Sequence, residues 1–274
     1  MATVSSQPGV GPLLREWRER RRLTQLELAL DAEISARHLS FVETGRSKPG
    51  REMLLRVLEQ LEVPFRERNH LLLAAGHAPA FPERSLSDPE LAPVREALDL
   101  ILTGHEPYPA IAVDRAWNLV AANSAVVALT EGIEVDPELL QPPVNAVRVS
   151  LHPRGLAPLI VNLGAWRAFF RERLERQLAI TGDDELAALA EEVAGYPPPG
   201  PEHGPGSDPG AGGTVGPLTL RSPSGGRLSF LSMFATFDTP FEVTTSELAI
   251  ELLFPTDQAT AKALEALARD RRGP

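Results

Sequence analysis

Arg37, His38, Ser40 and Phe41 fall within five consecutive residues, between a serine at 35 and a glycine at 45. In a helix begun at Ser35, turning about 100° per residue, Leu39, Val42 and Glu43 gather on one side. Arg37, Ser40 and Phe41 gather on the other, with His38 on its flank. Such a face has the chemistry to address nucleic acid: arginine bonds two acceptors of guanine at once, and a ring packs on the thymine methyl. The plain alternative is a solvated helix face carrying one aromatic residue. The neighbours shift the balance toward DNA. Gln25, just inside the preceding helical pattern, suits a phosphate or base-edge contact, where free helix amides also attract phosphate. Ser35 is a natural N-cap. Gly45 ends the helix, and Arg46 and Lys48 follow in a loop able to meet the DNA backbone, contacts that fix register without reading sequence.

The elements that must hold these residues are two short helical patterns, 24–32 and 35–44, broken at Ala32-Glu33-Ile34. That is the spacing of a helix-turn-helix, in which one helix braces on the backbone and the next enters the major groove. With patterns at 12–22, 51–61 and 65–75 they make an all-α five-helix module. Arg18 lies at the edge of the apolar side of the first helix, and Glu43 on the inward side of the third. Opposite charges aimed at one small core are expected to pair, because stranding either alone costs on the order of 3–5 kcal/mol. Otherwise both reach solvent at the rim.

Residues 12–75 resemble the Cro/repressor-type, XRE-like helix-turn-helix family. The resemblance is carried by Leu-Thr-Gln-Leu-Glu-Leu-Ala and by Ile-Ser-Ala-Arg-His-Leu-Ser-Phe-Val-Glu-Thr-Gly-Arg. It implies an Arg18–Glu43 pair, phosphate and base contacts near Gln25, and base reading from Arg37, His38, Ser40 and Phe41. Many members carry a polar or basic residue where Phe41 stands.

Charge is divided along the chain. Residues 1–80 carry 12 basic and 10 acidic side chains, a balance of +2, which leaves −12 for the remainder of a chain whose total is −10. The acid therefore belongs to the second part, where it limits indiscriminate DNA contact. With no cysteine, disulfides and thiolate metal sites are excluded. The first residues lack the pattern of a secretory signal, and charges interrupt the most apolar stretch, 110–129, so a cytoplasmic location without membrane spans is expected.

The organisation reads as a DNA-binding domain at 1–80, a Pro- and Ser-containing linker at 81–91 and a second domain at 92–274, with Pro197–Gly213 as a mobile loop. A helix at 92–103 leads into strands at 110–114 and 117–121 and a helix from Asn123. Helical patterns follow at 158–180 and 184–194, then strand-like runs at 218–221, 228–236 and 247–254 and a last helix at 258–271. This order predicts an α+β domain with a five-stranded antiparallel sheet and helices over one face.

Tyr108–Ala125, Asn145–Leu156, Pro158–Asn162 and Thr236–Pro240 resemble the ligand-binding domain of MmyB-like regulators. The resemblance implies a PAS-like fold with an apolar pocket, and fatty acids are among the ligands attributed to that family. A concave sheet presenting Ile111, Val113, Leu228, Phe230 and Ile250 could line such a pocket, or these residues could fill an ordinary core. Trp117 could line the same cavity or simply pack. Arg148 and His152, alternating with apolar residues, could meet a carboxylate head group, and a surface salt bridge for Arg148 is the alternative. No nucleophile elbow, phosphate loop or metal-binding helix is evident. His70 and His77 lie two helical turns apart without an acidic residue completing a set. The expectation is therefore no enzyme and no metal or cofactor beyond a possible fatty acid or other apolar ligand. The expected partners are double-stranded DNA, as an inverted repeat bound by a homodimer, and the small ligand. The alternative is a second domain serving only protein–protein contact.

Overall fold

Capping fixes the ends of the first helices before packing does. Thr24 opens α2 (Gln25–Asp31) with a reciprocal cap: its Oγ1 accepts from the Glu27 amide at 3.2 Å, and its own amide donates to Glu27 Oε2 at 2.7 Å. Ser35 opens α3 (Ala36–Glu43) by accepting from the His38 amide at 3.1 Å. Between them Glu33 takes a left-handed φ of +54°, which costs a non-glycine residue roughly 1 kcal/mol and makes the tight turn. Gly45, at φ +73°, closes α3. The Gly45 amide donates to Val42 O at 3.0 Å and the Arg46 amide to Phe41 O at 2.8 Å, the paired bonds of a Schellman ending.

This computed structural model describes residues 9–198, 218–222, 225–237 and 242–272. They form two units, one of residues up to Arg84 and one comprising the bulk of the chain from Ser85 onward. From residue 199 on, the loop expected at Pro197–Gly213 lies outside the described residues.

In the first unit α1 (Val10–Arg20), α4 (Arg51–Gln60) and α5 (Phe65–Ala74) join α2 and α3 around Leu14, Leu28, Leu39, Leu54, Leu58 and Leu71. The start of α1 lies against the end of α3 so closely that a Cβ at Gly11 would stand 2.5 Å from Val42 O and 2.7 Å from Glu43 O. Glycine is therefore required there by contact rather than by backbone angle.

The second unit runs α6 (Ala92–Gly104), β1 (Ala110–Val113), β2 (Leu119–Ala122), α7 (Ser124–Thr130), α8 (Ala146–Leu151), α9 (Leu163–Thr181) and α10 (Asp184–Ala194). Then come β3 (Leu218–Arg221), β4 (Arg227–Thr236), the single turn α11 (Val243–Ser246), β5 (Ala249–Pro255) and α12 (Gln258–Arg272). The strands make one antiparallel sheet in the order β2-β1-β5-β4-β3, a PAS-like arrangement.

Register assigns the faces. Ile111 pairs with Glu251 and Glu251 with Phe234, so these three share a face; Ala112, Ile250 and Ala235 share the other. The first face packs with Trp166 and Phe170 of α9, Leu186 of α10 and Leu264 of α12. The second packs Ala110, Ala112 and Ile250 against Leu98 and Leu102 of α6. Helices therefore cover both faces, not one as the element order predicts. Buried asparagines tie the irregular segments to this frame. Asn123 caps α7 while donating to Leu102 O at 3.1 Å and Tyr108 O at 2.8 Å. Asn145 caps α8 and donates to Ala116 O at 2.7 Å.

Candidate DNA-reading surface and ligand cavity

The inward side of α3 is locked by charge. Arg18 Nε donates to Glu43 Oε1 at 2.7 Å, Arg18 Nη2 to Glu43 Oε2 at 2.9 Å, and Arg18 Nη1 to Leu23 O at 2.8 Å. The Glu43 carboxylate holds the Arg18 guanidinium above its ordinary value. This bidentate pair is buried, as are Leu39 and Val42 on the same side of α3, so rolling the helix would break both hydrogen bonds. Gln25 joins it, its Nε2 donating to Glu43 Oε2 at 2.8 Å. One amide hydrogen of Gln25 is thus committed inside, which leaves its other N–H and its Oε1 outside this bond.

The outward side carries the residues that the sequence marks as candidates for DNA contact. Arg37 is exposed, and its guanidinium lies 5.3 Å from the centroid of the half-buried Phe41 ring, one turn along. The ring is a platform that narrows the wandering of the arginine. His38 and Ser40 are half-buried beside them, and Ser35, occupied as the cap, is exposed at the helix start. Arg46 and Lys48 are exposed in the loop after Gly45. Among the described residues none of Arg37, Arg46 and Lys48 forms an ion pair. Replacing Ser35 by alanine is expected to cost about 1 kcal/mol, and by glycine only a few tenths. Thermal melting of the two variants would check this ordering.

The second unit holds a partly open cavity of about 420 Å³, within the range of roughly 300–1,000 Å³ typical of small-molecule sites. Ile111 and Leu253 form its floor, Ala146 and Val149 of α8 and Trp166 and Phe170 of α9 its walls, and Leu119, Val127 and Leu140 its exposed rim. Of the pocket residues expected from sequence, Ile111 is in this lining. Val113, Trp117, Leu228 and Phe230 are buried core on the same face without lining the cavity. The Trp117 Nε1 donates to Gln177 Oε1 at 2.8 Å, and its ring meets Phe170 edge-on at 5.3 Å. Ile250 is on the opposite face under α6, because residues one apart on a strand alternate sides.

Arg148 and His152 are not at the cavity either. Residues 146–151 form α8 rather than an extended segment, so alternation in sequence does not become alternation of faces. Val147 and Leu151 point into the core, and Arg148 pairs with Glu192 at the surface, Nη2 to Oε2 at 2.8 Å. His152 Nδ1 accepts from the Arg154 amide at 3.1 Å, and its ring stands edge-on to Tyr196 at 5.0 Å. Trp166, Phe170 and Glu251, none of them expected from the sequence, also line the cavity. Only Glu251 left a signal, as a lone acid within the apolar run Ala-Ile-Glu-Leu-Leu-Phe.

A helix-turn-helix unit with an open cationic flank, followed by a PAS-like unit holding an apolar cavity, defines a DNA-binding regulator with a ligand-binding domain. Residues 94–267 match the model of the MmyB-like transcription regulator ligand binding domain, and residues 14–68 match that of the helix-turn-helix. The chain belongs to the MmyB-like helix-turn-helix transcription regulators, a family of regulators rather than enzymes. A curated relative, the "Uncharacterized HTH-type transcriptional regulator RghRB" of Bacillus subtilis (strain 168), is 33% identical over 115 residues, 42% of this chain and 74% of its own. A solved structure described as an RNA-binding Light-Oxygen-Voltage receptor aligns at a TM-score of 0.27 and 12% identity. That alignment covers 94% of this chain and 62% of the other, and the likeness is too loose to bear on fold or function. No helix among the described residues is long and apolar enough to cross a membrane.

Proposed function

We propose that this regulator works in the cytoplasm as a homodimer on an inverted repeat, with the outer flank of α3 in the major groove of each half-site. The observation that carries the reading is Arg37: exposed, stacked on Phe41, and without an ion pair among the described residues, on a helix held from behind by Arg18 and Glu43. Arg37 reads a guanine bidentately, His38, Ser40 and Phe41 contact neighbouring base edges, and Gln25, Arg46 and Lys48 meet phosphate. A small, largely apolar ligand of fatty-acyl character occupies the cavity and biases the spacing of the two DNA-binding units. It does so only if it binds one arrangement better than the other. A second domain serving protein contact alone would leave the cavity without a use, and native mass spectrometry of the purified chain separates the two readings by the presence or absence of a co-purifying small molecule.

Arg37→Ala is expected to lose about 1–3 kcal/mol of discrimination at one base position per half-site. Sequencing of DNA fragments selected from a random pool by wild type and variant reads this out. The same preference and affinity in both would remove Arg37 from the reading role.

A further inference from the structure

Glu251 is the sole ionisable side chain among the described residues lining the cavity, whose walls are otherwise apolar apart from Thr130 and Ser150. It is buried, at 6% exposure, in the middle of β5. Ser232 Oγ donates to its Oε1 at 2.6 Å, and among the described residues Oε2 has no hydrogen-bond partner. Arg173 is near enough to act on Glu251 through space but forms no ion pair with it; its guanidinium stacks 3.5 Å over the Phe234 ring instead. A half-satisfied carboxyl facing an apolar space is costly unless something else completes its hydrogen bonding.

We propose that Glu251 is the specificity-determining anchor of the cavity, accepting a hydrogen bond from the uncharged polar end of an otherwise apolar ligand and turning away free carboxylates. This rests on the cavity being a ligand site. A hydroxyl or amide N–H placed against Oε2 supplies the missing donor. A carboxylate there meets a like charge, with no cation in the lining to offset it. Burial pushes the Glu251 carboxyl up to about 7, against the opposing pull of Ser232 and Arg173, so the like-charge repulsion of a ligand carboxylate acts above that pH, where the group is ionised. The exposed rim of Leu119, Val127 and Leu140 leaves room for the apolar remainder to reach outward.

The test uses the full chain at pH 8, with dodecan-1-ol and dodecanoate as probes and the fluorescence of Trp166, which lines the cavity, as the signal. The alcohol is expected to bind about tenfold or more tighter than the carboxylate, the worth of one hydrogen bond to a charged group. In Glu251→Gln, which removes the charge but keeps the shape, the two affinities are expected to converge. Val127→Trp at the rim should weaken both probes alike, which places them in the cavity. Dodecanoate binding as tightly as the alcohol in wild type, or a preference that survives in Glu251→Gln, overturns the anchor. The wild-type comparison decides the matter even if the variant folds poorly. Failure of both probes to bind wild type saturably overturns the ligand-site reading itself, a distinct result.

Discussion

Arg18→Ala is expected to destabilise the DNA-binding unit by about 3–5 kcal/mol, a large share of the stability of a small domain. The Glu43 side chain is 1% exposed and that of Arg18 10%, so water cannot take over solvation of the remaining carboxylate. Gln25 stays as its partner, and one neutral amide does not replace a bidentate guanidinium. Removing both charges together, as Arg18→Met with Glu43→Leu, is expected to return most of the loss, because a buried pair replaced by apolar groups of similar volume is often neutral. Urea unfolding of wild type, single and double variants measures this. A single variant within about 1 kcal/mol of wild type would mean that solvent reaches Glu43 after all.

Phe170→Ala is expected to cost the second unit about 3–5 kcal/mol. The ring is 2% exposed and meets Trp117, Trp166 and Phe169 edge-on at 5.3, 5.0 and 5.5 Å. Truncation removes those contacts and opens new space beside the existing cavity, where nothing can collapse without moving α9. Phe170→Leu should restore more than half of the loss by refilling volume. Denaturant unfolding followed by the fluorescence of Trp117 and Trp166 reports directly on this cluster. A loss below about 1 kcal/mol for the alanine variant would show the site to be loosely packed.

The first unit was largely legible because its signals are local. Thr24, Ser35 and Gly45 act within one helical turn, and a capping box or a Schellman ending needs no knowledge of distant residues. The opposed placement of Arg18 and Glu43 followed from helical periodicity in the same way. What sequence did not convey there is that Gln25 is drawn inward by Glu43, a contact between residues 18 apart.

The cavity was harder for two physical reasons. Both faces of the sheet are covered by helices, so both sides of β5 are apolar and alternation cannot say which face is which. Ile250 reads as a pocket residue, yet Glu251 and Leu253 are the residues of β5 that line the cavity. The second reason is the length of α8. At six residues it is too short for a helical period to stand out from a strand-like alternation, so Arg148 and His152 read as able to meet a head group, whereas neither lines the cavity and Arg148 takes the alternative of a surface salt bridge. The buried locks of Asn123 and Asn145 depend on backbone carbonyls brought close only by the fold.

The most direct test of the DNA-reading surface is methylation interference on a duplex selected by the pure protein. Dimethyl sulfate modifies guanine N7 in the major groove and adenine N3 in the minor groove. With α3 seated in the major groove, methylation of a guanine N7 in each half-site is expected to block binding, and methylation of adenine N3 at neighbouring A·T pairs of the half-site to leave it unaffected. Binding indifferent to every N7 methyl group, or blocked by N3 methylation in its place, would contradict the assignment of Arg37 and its neighbours to the major groove.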